Sequence, residues 1–201
     1  LLQEIFIERY NRRGYVGDIF RGRVVRVMPG MEAAFVDIGL DRAAFIHNSD
    51  ISLLDEDGHE LRSDFRPPII KSLRDGQNIV VQVAKDAISS KGARLTTHLT
   101  LPSRNLVFMP RNKHLGISQR LENEEERERL LELLRKVLKQ ENWDGRGGFI
   151  IRTAAAGVEA EELIEDVRFL KRLWGKVEQR IKRNDGVRAV YREVPLYMRT
   201  V

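Results

Sequence analysis

The 201-residue sequence predicts an α+β chain of more than one domain, with a cluster of short strands followed by a mixed α/β region. Three observations predict it. Residues 17–50 read as three short strands with apolar and polar positions alternating. After residue 100 the pattern changes to isolated apolar runs separated by long charged segments. In the last of those segments Leu163, Val167, Leu170, Trp174, Val177 and Ile181 recur at steps of four and three, the stripe of a helix packed on a core.

In chain order, residues 1–8 alternate like a strand already in progress, and the chain opens without Met, so both ends read as cuts through a common body. Within residues 31–39, Ala34, Val36 and Ile38 alternate with Ala33, Phe35 and Asp37. A strand burying the first set turns Phe35 outward. Gly39-Leu40-Asp41-Arg42 supplies a tight connection, after which Phe45 falls between Ala44 and Ile46 on the same outward face. Arg21, Arg23, Arg26, Arg42, Lys85, Lys91 and Arg94 surround these rings in sequence. Rings that stack bases among cations that track phosphates describe a surface for single-stranded nucleic acid. The same residues also fit a small barrel with both rings in its core, which would make the chain a protein-interaction module.

Residues 51–72 form a long charged stretch with Pro67-Pro68, read as an insertion with a short helical piece at 70–74. Strands follow at 79–85 and 93–99, joined by the turn Ser89-Ser90-Lys91-Gly92, where the lysine can reach a phosphate. Further strands are expected at 105–109 and 147–153. The helix at 124–140 has an acidic opening turn and basic residues near its end, as the helix dipole favours. The strand at 147–153 finishes in Arg152-Thr153, a planar cationic fork beside a hydroxyl. That pair suits a terminal phosphate, or equally a surface ion pair and a turn.

Composition narrows the chemistry. Lys and Arg number 35 against 30 Asp and Glu, so the net charge of +5 leaves nucleic-acid affinity to local patches. The absence of cysteine excludes disulfides, thiolate catalysis and cysteine zinc sites in these residues and fits a reducing cytoplasm. His47, His59, His98 and His114 have no metal-ligand spacing. Asp37, Asp41, Asp50 and Asp55 read as turn acids rather than a converging magnesium site. No apolar run approaches the roughly 20 residues of a membrane span, and there is neither a GxxxxGK[ST] loop nor a nucleophile elbow.

Several ordered blocks carry a resemblance. Gly22-Arg23-Val24 and LRDGQNIVVQV (73–83) are similar to the opening and fourth strands of an S1 domain, an OB-type RNA-binding barrel. MEAAFVDIGLDRAAFIH, KGARLTTHLTLPSR, LVFMP and FIIRTAAAGV, in that order, resemble the amino-terminal half of the bacterial RNase E/RNase G endoribonucleases. LQEIFIER, RRGYVGDIFRGRV and GISQR favour the RNase G branch. The resemblance implies an OB-fold S1 barrel at 16–99 and a 5′-sensor α/β region at 100–186, with partial RNase H-like segments at 1–15 and 187–201. It implies RNA contacts at Phe35, Phe45 and Lys91. It also implies a pocket for the 5′-monophosphate at Arg152 and Thr153, with Val107 and Ser103 lining the first nucleotide. RNase E has glycine where this chain has Ser103. Further implications are a single-strand-specific endoribonuclease of RNA processing and decay, including rRNA processing, cytoplasmic and homo-oligomeric. Its Mg²⁺-binding catalytic aspartates, and zinc between subunits, would lie outside this chain. Alone, the chain is expected to bind 5′-monophosphorylated single-stranded RNA without cutting it. A stand-alone, non-catalytic S1-type RNA-binding protein is the alternative.

Overall fold

The computed structural model describes residues 14–53, 66–88, 91–183 and 186–193. Its first part is a closed five-stranded barrel, the OB-type architecture that the resemblance implies. The strands are β1 (Ile19–Met28), β2 (Ala33–Asp37), β3 (Ala44–His47), β4 (Asn78–Lys85) and β5 (Arg94–Thr96), with a one-turn helix α1 (Ile69–Ser72) ahead of β4. They run in the order β1-β2-β3-β5-β4 and close by β4 pairing back to β1. All neighbours are antiparallel except β3 and β5, which are parallel.

Barrel closure loads β1 heavily. Residues 19–23 pair with β4 along one edge. The other edge must therefore serve both β10 (Arg188–Tyr191), opposite residues 19–21, and β2, opposite residues 23–28. The changeover falls at Gly22. A Cβ there would come within 2.8 Å of Val36 Cγ1 and 2.9 Å of the Asp37 carbonyl oxygen, so only glycine admits the crossing strand. Inside the barrel, Ala34, Ile46, Leu95 and Val83 lie in one cross-strand row and are fully buried. Ala34, Val36 and Ile38 face inward as their alternation requires.

The second part is an α/β layer. Strands β6 (Leu101–Pro102), β7 (Leu106–Met109), β8 (Leu115–Ile117) and β9 (Gly148–Ile151) form a sheet ordered β6-β7-β9-β8, covered by α2 (Glu124–Gln140) and α3 (Ala160–Lys182). Phe108, Phe149, Trp143 and Trp174 meet with ring centroids 5.0–6.1 Å apart. The apolar stripe of α3 enters this core, with Trp174 and Ile181 at its edge. Asn123 caps α2 by accepting from the Glu126 N–H, and Glu159 and Glu162 form a capping box on α3. Among the described residues, no helix is long and apolar enough to cross a membrane.

Two polar devices join the parts. The buried Gln82 amide donates to the carbonyls of Gly17 (2.8 Å) and Thr100 (2.9 Å) and accepts from the Thr100 N–H (2.8 Å). Arg21 donates to the carbonyls of Ile181 (3.3 Å) and Arg183 (2.8 Å), satisfying the last turn of α3. The sequence groups Arg21 with the nucleic-acid cations; the structure uses it as this clamp. Strand 93–99 is also shorter than expected. β5 stops at Thr96 because Thr97 N–H turns to the Asp50 carbonyl and Thr100 is held by Gln82. Of the end segments expected to share a body, residues 1–13 and 194–201 lie outside the described residues. The described part of the second, β10, lies on β1. Residues 54–65 of the long loop, and Ser89-Ser90 of the turn, also lie outside them.

Replacing Gln82 by Leu removes its hydrogen bonds to the part-buried Gly17 carbonyl and to the carbonyl, N–H and hydroxyl of Thr100, and is expected to cost about 2–3 kcal/mol, read as a lower urea midpoint with unchanged slope. A second outcome concerns acid. Arg129 and the Gly157 N–H hold the Glu126 carboxyl at about 2, against an ordinary 4.5. The folded state therefore binds this proton less readily than the unfolded chain. The stabilisation is complete above pH 4.5 and is lost as pH falls toward 2. Thermal unfolding of wild type and Glu126→Gln should accordingly differ most at about pH 6, with the difference shrinking as pH falls from 4.5 toward 2.

Candidate nucleic-acid interface

One position out of phase with the buried row lies a second row on the barrel's outer face. Arg26 on β1 pairs with Phe35 on β2, Phe35 with Phe45 on β3, Phe45 with Arg94 on β5, and Arg94 with Lys85 on β4. Two aromatic rings are thus flanked by cations across the whole barrel wall. Phe35 is 39% exposed and Phe45 half-buried, with fully buried Ala44 and Ile46 on either side of the latter. Neither ring belongs to the core, which removes the geometric basis of the interaction-module reading. β-Bulges at Val24/Arg26 and Val83/Lys85 bring both end cations into the row.

The two residues after Lys91 pack against the start of β3. A Cβ on Gly92 would sit 2.0 Å from the Ala43 carbonyl oxygen, so glycine lets the segment press against the entry to β3. Phe45 N–H then bonds the Ala93 carbonyl at 2.9 Å. Lys91 itself is exposed, and its backbone pairs with Ile88. His47, two residues beyond Phe45, bonds Ser49 Oγ through Nδ1 at 2.8 Å. Sequence reasoning treated Arg94 as one cation among many. The structure ties it to Asp50 in a two-pronged ion pair, Nε to Oδ2 at 2.8 Å and Nη2 to Oδ1 at 3.2 Å. The signal was the cross-barrel register, a long-range property that residue types alone do not reveal.

A second constellation sits at the edge of the α/β sheet. Leu106 and Phe108 are fully buried, so Val107 faces outward opposite Ile150, and Arg152 follows two residues later on that face. Arg152 N–H donates to the Asn105 carbonyl (2.8 Å), and its Nη1 donates to the Ser103 carbonyl (2.6 Å) and, at 3.4 Å, to that of Arg104. Its other guanidinium N–H groups make no hydrogen bond among the described residues. Ser103 closes the β6–β7 turn, with N–H and Oγ both donating to the Leu106 carbonyl (2.8 and 3.0 Å). Asp166 of α3 accepts from the Asn105 N–H at 2.7 Å. Thr153, exposed, opens a helical turn that buries Ala155. Beyond it, Gly157 N–H bonds Glu126 (2.8 Å) and Arg129 bonds the Val158 carbonyl (3.0 Å), tying this loop to α2. The structure therefore brings Ser103 and Arg152 into direct contact and sets Val107 and Thr153 beside them. Asp37, Asp41 and Asp50 join no metal-ligand cluster; among the described residues no three His, Asp or Glu side chains gather as one.

Comparison with known proteins places this geometry in context. Residues 15–85 match the S1 RNA binding domain and residues 100–201 match the Ribonuclease E/G family. Ribonuclease G of Salmonella typhimurium is 53% identical over the whole chain, and that of Haemophilus influenzae 51% identical over 99% of it. Ribonuclease E of Nostoc sp. is 37% identical over 82% of the chain. The chain spans 40% of the length of the ribonuclease G proteins and 22% of that ribonuclease E. An S1 barrel with an outward aromatic and cationic row, followed by an α/β region matching the second model over half the chain, is what these residues build, and the chain belongs to the ribonuclease E/G family.

Proposed function

We propose that this chain is the RNA-recognition part of a single-strand-specific endoribonuclease resembling ribonuclease G, which holds RNA on the barrel and reads its 5′ end at Arg152. The observation that carries the reading is the outward row in which Phe35 and Phe45 stand side by side between cations. Bases stack on the two rings, and Lys91 meets a phosphate. At the sheet edge, Arg152 is held by the Ser103 carbonyl with further N–H groups uncommitted. A terminal monophosphate, close to a dianion with three acceptor oxygens, suits that fork and the adjacent Thr153 hydroxyl. A 5′-hydroxyl offers no charge to pair. Val107 gives the first nucleotide an apolar floor beside Ser103.

The hydrolytic chemistry belongs, in this reading, to a magnesium-binding region of the longer protein. Among the described residues, no three His, Asp or Glu side chains gather as a magnesium site would require. The same reading extends to a cytoplasmic setting, in keeping with the absence of cysteine, to RNA processing and decay including rRNA, and to a homo-oligomeric parent with zinc between subunits.

Binding of short single-stranded RNAs that differ only in a 5′-monophosphate or 5′-hydroxyl tests the reading, measured for wild type and Arg152→Ala at two salt concentrations. Wild type should prefer the monophosphate by roughly 10- to 150-fold, the equivalent of one charge-assisted contact. Arg152→Ala should bind both RNAs alike. Equal binding by wild type would remove the sensor, and salt-independent binding would remove the phosphate contacts altogether.

A further inference from the structure

The outer row contains one group whose setting differs from that of a phosphate-tracking cation. Arg94 lies opposite Phe45 in the parallel β3–β5 pair, so its side chain leaves the barrel on the same face as the rings. Asp50 grips it through two parallel hydrogen bonds, with side-chain exposures of 38% for Arg94 and 19% for Asp50. Asp50 is itself fixed by its backbone, whose carbonyl accepts from Thr96 Oγ1 (3.0 Å) and Thr97 N–H (2.9 Å). A two-pronged carboxylate pair does two things to a guanidinium. It cancels the charge that would attract a phosphate, and it immobilises the plane. The surface that results is flat, rigid and half-exposed. Arginine planes held in this way stack nucleobases as aromatic rings do. Lys85, across from Arg94 on β4, leaves an exposed cation for the backbone beyond it.

We propose that Arg94, positioned by Asp50, is a third base-stacking plane after Phe35 and Phe45, so that the barrel takes three successive bases of single-stranded RNA. The proposal rests on the reading of the barrel face as the RNA surface and adds to it the length and base-dependence of the site. The three groups stand on adjacent strands, about 4.8 Å apart from one to the next. Asp50 is a positioning residue: it contacts Arg94 and not the base.

The test uses this chain and a uridine RNA of about nine nucleotides, together with a series in which one nucleotide at a time lacks its base. Wild type should lose affinity at three consecutive abasic positions. Arg94→Lys keeps the charge and removes the plane; it should bind the intact RNA roughly five- to twenty-fold more weakly and be insensitive at one of the three positions. Asp50→Asn, which keeps the arginine and loosens it, should give the same pattern. Thermal unfolding of each variant reports whether the fold is kept. An abasic profile in Arg94→Lys identical to that of wild type would overturn the proposal. So would an equal loss for every RNA in the series, the mark of a purely structural ion pair. A change in salt dependence with the profile unaltered would return Arg94 to the phosphate cations and overturn it as well. Phe45→Ala separates the two levels: if it leaves binding and profile unchanged, the barrel-face reading itself fails.

Discussion

A ten-residue strand with only two edges must serve three partners, and much of this structure depends on how β1 does so. One edge closes the barrel against β4; the other passes from β10 to β2 at Gly22. The missing side chain there lets β2 cross close enough for Val36 to enter the barrel core and for the β2–β3 register to follow. Register then determines the surface. Because side chains alternate, the order that buries Ala34, Ile46 and Leu95 also turns Phe35, Phe45 and Arg94 outward, and the bulge after Val83 adds Lys85 to that outer row. A slip by one residue would exchange the two rows. The exposed row is thus a consequence of the core, maintained by the burial of several aliphatic side chains and not by the weak contacts of the surface itself.

The same strand fastens the barrel to the α/β region. Ile19 lies in the α/β core together with Val190 and Tyr191 of β10, while Phe20 points into the barrel. Arg21, next in line, clamps the end of α3, and Gln82 secures Thr100 where the chain leaves the barrel. The two candidate surfaces consequently belong to one connected body. Under the proposed function this connection matters, since an RNA held on the barrel presents its 5′ end to Arg152 only if the two parts keep a set relation.

Parts of this were legible in the sequence, and the physical reason is locality. The alternation at 33–38 and 44–46 reports a half-buried strand directly, so the outward placement of both phenylalanines follows from it. Likewise the stripe of α3 reports one buried helix face, and the acidic start of α2 marks its N-terminus. Strands β6 and β8, with two and three residues, are too short to show alternation. Pairing of β10 with β1, the clamp by Arg21 and the grip of Asp50 on Arg94 join residues 44 to 172 positions apart, and nothing in local pattern encodes them. At the sheet edge, residue types alone left Arg152 and Thr153 undecided between a turn and a phosphate site. The contact from Arg152 to the Ser103 carbonyl shows that these residues lie together and how the guanidinium is oriented.

Under the proposed function, RNA lies along the outward row of the barrel. Amide and aromatic NMR signals followed during titration with single-stranded RNA would map its place on the surface. Phe35, Phe45 and Arg94 should shift together and saturate at one RNA concentration, while the exposed Arg135 and Lys139 of α2 stay in place. Shifts confined to α2, or to any face apart from that row, would contradict that placement.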